Sequence, residues 1–448
     1  MLTDAWYPLY DIPDRTEALR GAPLRRFTCI QAGRQSGKTE IARRWLVSCL
    51  LWPKPWPDPR YFFAADTVGH AKAIVWEALL RLIPPQWLQG KPRESASWME
   101  IRTVFGASLR VFGMQRPQCV EGLPYDGGII DESADVPPGA FDRSVRPALA
   151  VRDGWAWRIG VPKRFGIGAR EFNDFYDLGR RGDDPAIKSF TWKSAEVLEQ
   201  VNPGFLAEMR RTMDPCDYRE QFEASREAVS GRAFYPFDRA YNVRKVIYDP
   251  VYPLVVGMDF NVDPMHWVLC QVKGGERLEV FDELFMRNTN TSESLTALWS
   301  RYGQHVGGWQ FYGDAASRQR HTSASEADYA LIFNDRRFAS SPGGRRVFIP
   351  DSNPMVRERL GEVNALCCNA EGVRRLFVDP ACTHLIDDFD NRPLPGLEAE
   401  QKSDYTHGTD AVGYVVHARF PTRFNLDGVY SSPAIINVEG SDYAGLRR

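Results

Sequence analysis

Two sets of residues in this chain are spaced so that they could do chemistry together. The first lies in CIQAGRQSGKTEIARRWL, residues 29–46, where Gly33, Arg34, Gln35, Ser36 and Gly37 form a turn-prone loop ahead of Lys38 and Thr39. Between a strand and a helix, such a loop points successive backbone N–H groups at a polyanion on the positive end of the helix. Lys38 then reaches the outer phosphates of a nucleotide, and the Thr39 hydroxyl ligates Mg2+. Ala32 stands where the pattern G-x-x-x-x-G-K-[ST] begins with Gly. Hydrolysis also needs acids, and YDGGIIDES, residues 125–133, carries Asp131 and Glu132 at the end of an apolar strand. Asp131 suits the Mg2+ shell and Glu132 the polarisation of the attacking water. Arg34 either stabilises charge on the γ-phosphate in cis or pairs with a helix acid. ATP and Mg2+ are the cofactors this set predicts.

The second set is acidic and dispersed. Asp259 closes the apolar run LVVGMDF, Asp314 closes FYGD, and Asp410 lies in HGTDAVGYVV at a helix start. Carboxylates suit hard cations, and three of them gathered from distant positions are what two-metal phosphodiester cleavage with Mg2+ or Mn2+ requires. Glu283 or Asp404 could add a fourth ligand, and His407 either orients Asp410 or caps its helix. Turn and cap chemistry explains any one of these acids taken singly.

The elements that must position these groups follow from periodicity. To about residue 230 strands alternate with helices, as in a parallel α/β sheet. Strands are predicted at 60–66, at 99–113 as a pair joined at Gly106, at 125–133 and, within 155–166, one ending at Pro162. Helices are predicted at 39–51, 70–83 and 205–224. Residues 160–179, GVPKRFGIGAREFNDFYDLG, are placed to sense the γ-phosphate. A stretch rich in Pro, Gly and Tyr then reads as a linker. The expected division is an ATPase domain over 1–230, a linker over 231–253, a second α/β domain over 254–420 and a tail over 421–448. Three consecutive strands (254–260, 266–272, 277–285), a helix at 292–303, a strand at 309–314 and a terminal helix at 407–419 build the second domain.

With 448 residues, 43% of them hydrophobic and 25% charged, the chain has an ordinary globular composition and is long enough for two cores. No run of 18 apolar residues and no signal-peptide pattern is present, which predicts a cytosolic setting and no membrane partner. Eight scattered cysteines without a C-x-x-C pair argue against a zinc or disulfide framework. A net charge of −2 does not mark a nucleic-acid binder, although paired basic residues recur along the chain.

The order of these motifs resembles the large terminase subunit of tailed bacteriophages, from about residue 25 to 418. AGRQSGKTE is similar to that family's phosphate loop and IIDES to its acidic strand. GVPKRFG with Asn173 and Phe175–Tyr176 resembles its coupling motif, and VGMDFNVDP, FYGDAAS and THGTDAVGY its three nuclease segments. The resemblance implies a P-loop ATPase domain with a central, mainly parallel sheet, followed by an RNase H-like α/β nuclease domain. It further implies a ring of subunits on the portal protein of a procapsid, a small terminase subunit as partner and double-stranded DNA as substrate. The setting it implies is host cytoplasm rather than the mature virion. YPLYDIPDRTEALRG lacks the Gln of an adenine-contacting motif, and Asp263 stands where the family often has a neutral residue. The rival reading is an ATP-dependent helicase or translocase whose second domain binds DNA without cutting it.

Overall fold

The computed structural model describes residues 26–164, 166–226, 232–261, 263–318, 327–394 and 406–421. The chain divides into two compact units. One comprises the residues up to Ala207 together with Tyr218–Ala228, and the other comprises Glu208–Asp217 and the residues from Val229 onward.

The first unit is built on an eight-stranded sheet. Its strands are β1 (Phe27–Ala32), β2 (Arg60–Ala65), β3 (Arg93–Glu94), β4 (Trp98–Arg102), β5 (Ser108–Gly113), β6 (Gly127–Ile130), β7 (Trp155–Gly160) and β8 (Ile187–Trp192). They lie in the order β3-β4-β5-β2-β6-β7-β1-β8. β5, β2, β6, β7, β1 and β8 run parallel, while the β3–β4–β5 edge is antiparallel. All six residues of β1 and all four of β6 are buried, as expected of strands covered on both faces. A Cβ on Gly127 would stand 2.2 Å from the Trp155 ring, and one on Gly128 2.2 Å from the Phe62 ring. The two glycines thus let bulky neighbours cross the strand that carries Asp131. Helix α1 (Lys38–Cys49) follows β1, and α2 (Ala169–Arg181) follows β7.

The predicted helix over 205–224 is two helices, Phe205–Thr212 and α3 (Pro215–Glu223), because Pro215 starts a new one. β8 was not foreseen. It adds to β1 in register from Phe27↔Ile187 to Ala32↔Trp192.

The second unit carries a six-stranded sheet of β9 (Leu254–Asp259), β10 (Met265–Lys273), β11 (Arg277–Met286), β12 (Trp309–Tyr312), β13 (Arg345–Phe348) and β14 (Leu376–Val378). The order is β13-β12-β9-β10-β11-β14. β9, β10 and β11 form the antiparallel meander, whereas β12 runs parallel to β9, β13 to β12 and β14 to β11. Among its helices are α4 (Thr291–Tyr302), α5 (Val356–Cys367), α6 (Thr383–Asn391) and α7 (His407–Arg419).

The linker expected over 231–253 needs correction. Its described part is packed inside this unit: the Phe237 ring stacks on Phe389 at 4.5 Å, Phe234 is fully buried, and Asn242 donates to the carbonyls of Cys367 and Leu376. Two phenylalanines and one satisfied amide outweigh the loop-forming composition.

α7 lies against β9 so closely that a Cβ on Gly257 would stand 2.4 Å from the Ala411 carbonyl oxygen. We therefore expect Gly257→Ala to lower the stability of this unit by about 1–3 kcal/mol through overpacking. A lower urea midpoint for this unit checks the expectation, and an unchanged midpoint refutes it.

Candidate functional site

In the first unit, the chain leaves β1 and turns through Gly33–Gly37 into α1. Gln35 (φ 53°) and Gly37 (φ 79°) take left-handed backbone, which Gly37 adopts without strain. Gly33 is hemmed in, since a Cβ there would stand 2.2 Å from Ser194 Oγ and 2.7 Å from the Phe222 carbonyl oxygen. The Gly33 N–H donates to the Trp192 carbonyl at 3.1 Å and the Arg34 N–H to the Gln221 carbonyl at 2.6 Å. These two amides are thus committed to the protein, a correction to the expectation that the whole loop offers its backbone to phosphate. The Arg34 Nε donates to Gln221 Oε1.

Behind the loop, charges are buried together. Lys38 is 7% exposed, and burial lowers its pKa against the opposing pull of Glu132 and Asp131. Thr39 Oγ1 donates to Asp131 Oδ2 at 2.7 Å, and the Glu132 N–H donates to Asp131 Oδ1 at 2.8 Å. Burial and the adjoining Glu132 charge push Asp131 up. Burial also opposes ionisation of Glu132, but Lys38, Lys163 and Arg34 outweigh it and hold that carboxyl below its ordinary range. Glu132 itself sits at φ 47°, ψ 44°, a conformation costing a non-glycine residue about 1–3 kcal/mol.

The donor set fits a magnesium nucleotide. Ser36 Oγ is buried without a hydrogen-bond partner, the Lys38 ammonium is shielded from water, and the hydroxyl–carboxylate pair of Thr39 and Asp131 is of the kind that holds a hydrated Mg2+.

Residues of the 160–179 segment lie beside this site, as does Gln31, which the sequence left unassigned. Lys163 Nζ lies 3.5 Å from Glu132 Oε2 and also pairs with Asp135. Gln31 Nε2 donates to Asn173 Oδ1 at 2.8 Å, and Asn173 Nδ2 donates to the Lys163 carbonyl at 3.3 Å. Arg164 donates through N and Nε to Glu220 Oε2, at 2.8 and 2.9 Å. The 160–166 segment therefore touches β1, the acidic strand end and α3. Its Phe165 lies outside the described residues, while Phe175 and Tyr176 are buried in the core.

In the second unit, β12 pairs with β9 up to Tyr312↔Gly257. Continuing that register by two residues sets Asp314 level with Asp259 at the carboxyl edge of adjacent parallel strands. Burial raises the Asp314 pKa, and the Asp259 charge adds to the rise. Asp259 Oδ2 accepts from Asn261 Nδ2 at 2.8 Å and faces His407 Nδ1 at 2.8 Å. Hydrogen bonding to Asp259 raises the His407 pKa against the effect of burial. His407 therefore serves Asp259, not Asp410. Asp410 lies one turn further along α7, and its Oδ1 accepts from Arg359 Nη1 at 2.9 Å and Arg392 Nη1 at 3.1 Å. Tyr414 senses all three acids: burial raises its phenol, and Asp410, Asp314 and Asp259 add to the shift. The three carboxylates thus share one edge of the sheet and have the chemistry of hard-cation ligands. Among the described residues, no three His, Cys, Asp or Glu side chains are close enough to hold one ion in common.

Glu283 is the correction here. It accepts from the N–H groups of His384 (3.0 Å) and Leu385 (2.9 Å) at the start of α6, and from His266 Nε2 at 2.9 Å. With β10 between β11 and β9, its oxygens serve that buried pair and not Asp259. Asp263 lies 3.4 Å from Arg287 Nη1, and Asp404 lies outside the described residues.

No family model matches the chain. Curated relatives do match: a terminase large subunit of Thermus virus P23-45 is 25% identical over 281 residues, which cover 54% of this chain and 56% of that protein. That of Escherichia phage T5 is 28% identical over 399 residues, 85% of this chain and 82% of its own. The chain is thus similar in sequence to phage terminase large subunits. The chain spans little more than half the length of the Thermus relatives it matches. The large terminase of a thermophilic bacteriophage, 14% identical, superposes with a TM-score of 0.56 over 90% of this chain and 98% of its own, a likeness of fold. Among the described residues, no helix is long and apolar enough to cross a membrane.

His266 is a further residue that sequence reading missed. It is 1% exposed and paired with Glu283 and, at 3.6 Å, with Asp388. Burial opposes its charge, but the hydrogen bonds to Asp388 and Glu283 raise its pKa to about 9. The unfolded value is about 6.5, so the stability this imidazolium lends is fully present below that pH and is lost as pH rises through about 9. Thermal unfolding followed from about pH 6 to 10 should therefore weaken more steeply in the wild type than in His266→Gln, and parallel curves would refute this.

Proposed function

We propose that this chain is a genome-packaging motor subunit, which hydrolyses ATP in its first unit to drive double-stranded DNA and cuts DNA in its second. The observation carrying the reading is the 2.7 Å bond from Thr39 to Asp131 beside the buried Lys38, with the ionised Glu132 next in sequence. In the first unit, Lys38 neutralises the outer phosphates and Arg34 faces the charge that develops on transfer. Glu132, kept ionised by Lys38 and Lys163, accepts the proton of the attacking water. Its carboxylate is held by strained backbone, so little reorganisation is needed. Gln31, Asn173 and Lys163 form a relay along which a change at the phosphate loop reaches α2.

In the second unit, Asp259, Asp314 and Asp410 would hold the divalent ions. When bound, these activate water and stabilise the leaving oxygen. Asn261 and His407 orient Asp259, while the Ser317 N–H fixes Asp314 from 3.2 Å. From the likeness to phage large terminases we infer as assembly partners the portal protein of a procapsid, a small terminase subunit and further copies of the chain in a ring, working in host cytoplasm. We further propose that the functional division follows the two compact units.

The two activities separate by mutation. Lys38→Ala should reduce ATP hydrolysis by about 100-fold or more while leaving Mn2+-dependent plasmid nicking intact. Asp259→Ala should do the reverse. Nicking that survives Asp259→Ala would favour a translocase without nuclease chemistry, and hydrolysis that survives Lys38→Ala would remove the motor.

A further inference from the structure

Two buried cations beside the acidic cluster have no part in the function proposed so far. Arg359 projects from α5 and Arg392 follows α6, with side chains only 8% and 4% exposed. Both aim Nη1 at the same atom, Asp410 Oδ1, from 2.9 and 3.1 Å. Arg359 is seated over the Tyr414 ring at 4.5 Å, and Arg392 also donates to Thr409 Oγ1 at 2.9 Å. The Nε of each is buried without a hydrogen-bond partner, so neither guanidinium is saturated by what surrounds it.

The three acids are treated unequally. Asp259 meets an amide and an imidazole, and Asp314 accepts from the backbone of Ser317. Asp410 alone meets two permanently charged groups. Charge-assisted bonds to one oxygen drain negative potential from the whole carboxylate. A divalent ion approaching the other oxygen must also face two like charges where water screens them poorly.

We propose that Arg359 and Arg392 form a cage that competes with divalent metal for Asp410, leaving the cleavage centre short of full metal occupancy until the cage opens. A nuclease carried on a DNA motor needs such a restraint while DNA is moving. This inference rests on the reading of the second unit as a metal-dependent nuclease.

Calorimetric titration of the full chain with MnCl2 alone, without nucleotide or DNA, tests it. Arg359→Met and Arg392→Met keep an unbranched stem and remove the charge. Each should bind Mn2+ more tightly than wild type, on the order of tenfold. The gain should vanish when Asp410→Ala is added. Arg359→Lys and Arg392→Lys keep a buried positive charge with fewer donors and should bind within about twofold of wild type, which also secures the comparison if a Met variant fails to fold. Equal or weaker binding by the Met variants, or a gain in the Lys variants, overturns the cage and makes the arginines supports for Asp410. Mn2+ binding unchanged by Asp259→Ala overturns the metal-centre reading itself, and the cage with it.

Discussion

Ionised groups cannot leave water unless something replaces it, and both units of this protein meet that constraint at the carboxyl edge of parallel strands. In the first, Lys38, Asp131 and Glu132 are gathered where β1 and β6 end, and Lys38 offsets part of the desolvation of the two carboxylates, which oppose each other's charge. In the second, Asp259 ends β9, Asp314 follows the adjacent parallel β12 by two residues, and α7, tied to Asp259 through His407, carries Asp410. β1, β6 and β12, and β9 up to Asp259, hold no charged residue, so in these four strands charge appears only where they stop. Open α/β sheets hold their ligands at that same edge.

Close packing supplies the precision. Gly127 and Gly128 let Trp155 and Phe62 cross β6, which aims Asp131 at Thr39. Gly257 lets α7 settle on β9, and Gly408 lies beneath the His266 ring, where a Cβ would stand 2.4 Å from it. His266 is tied in turn to Glu283 and Asp388, and Asp388 accepts the Gly408 N–H at 2.8 Å. A buried ionic network therefore sets the start of the helix that carries both His407 and Asp410. Such a network loses much if one member is removed, because the remaining charges stay buried.

The loop geometry adds a cost that points to function. Glu132 is held in left-handed backbone beside two lysines, with one carboxylate oxygen buried and lacking a hydrogen-bond partner. Strain and an unmet acceptor on one residue both cost the resting fold, and the unmet acceptor is satisfied when a water is presented to that oxygen.

Local sequence was enough to single out Lys38, Thr39, Asp131, Asp259, Asp314 and Asp410 as candidates, because each follows or opens an element whose type is written within a few residues: a β-rich apolar run, a turn, a helical period. The meander of β9 to β11 and the terminal helix were legible for the same reason. What the partners of these groups would be was not. Glu283 caps α6 from a position 101 residues away in sequence, and Arg359 reaches Asp410 across 51. Nor could composition tell that Phe234 and Phe237, in a stretch that reads as linker, would pack on Phe389. The sequence by itself determined which residues are candidates for the chemistry and the type of element that bears each. Only the tertiary structure decided which carboxylate meets an amide, a histidine or an arginine, because that choice depends on strand order and helix docking between segments with no local signal for one another.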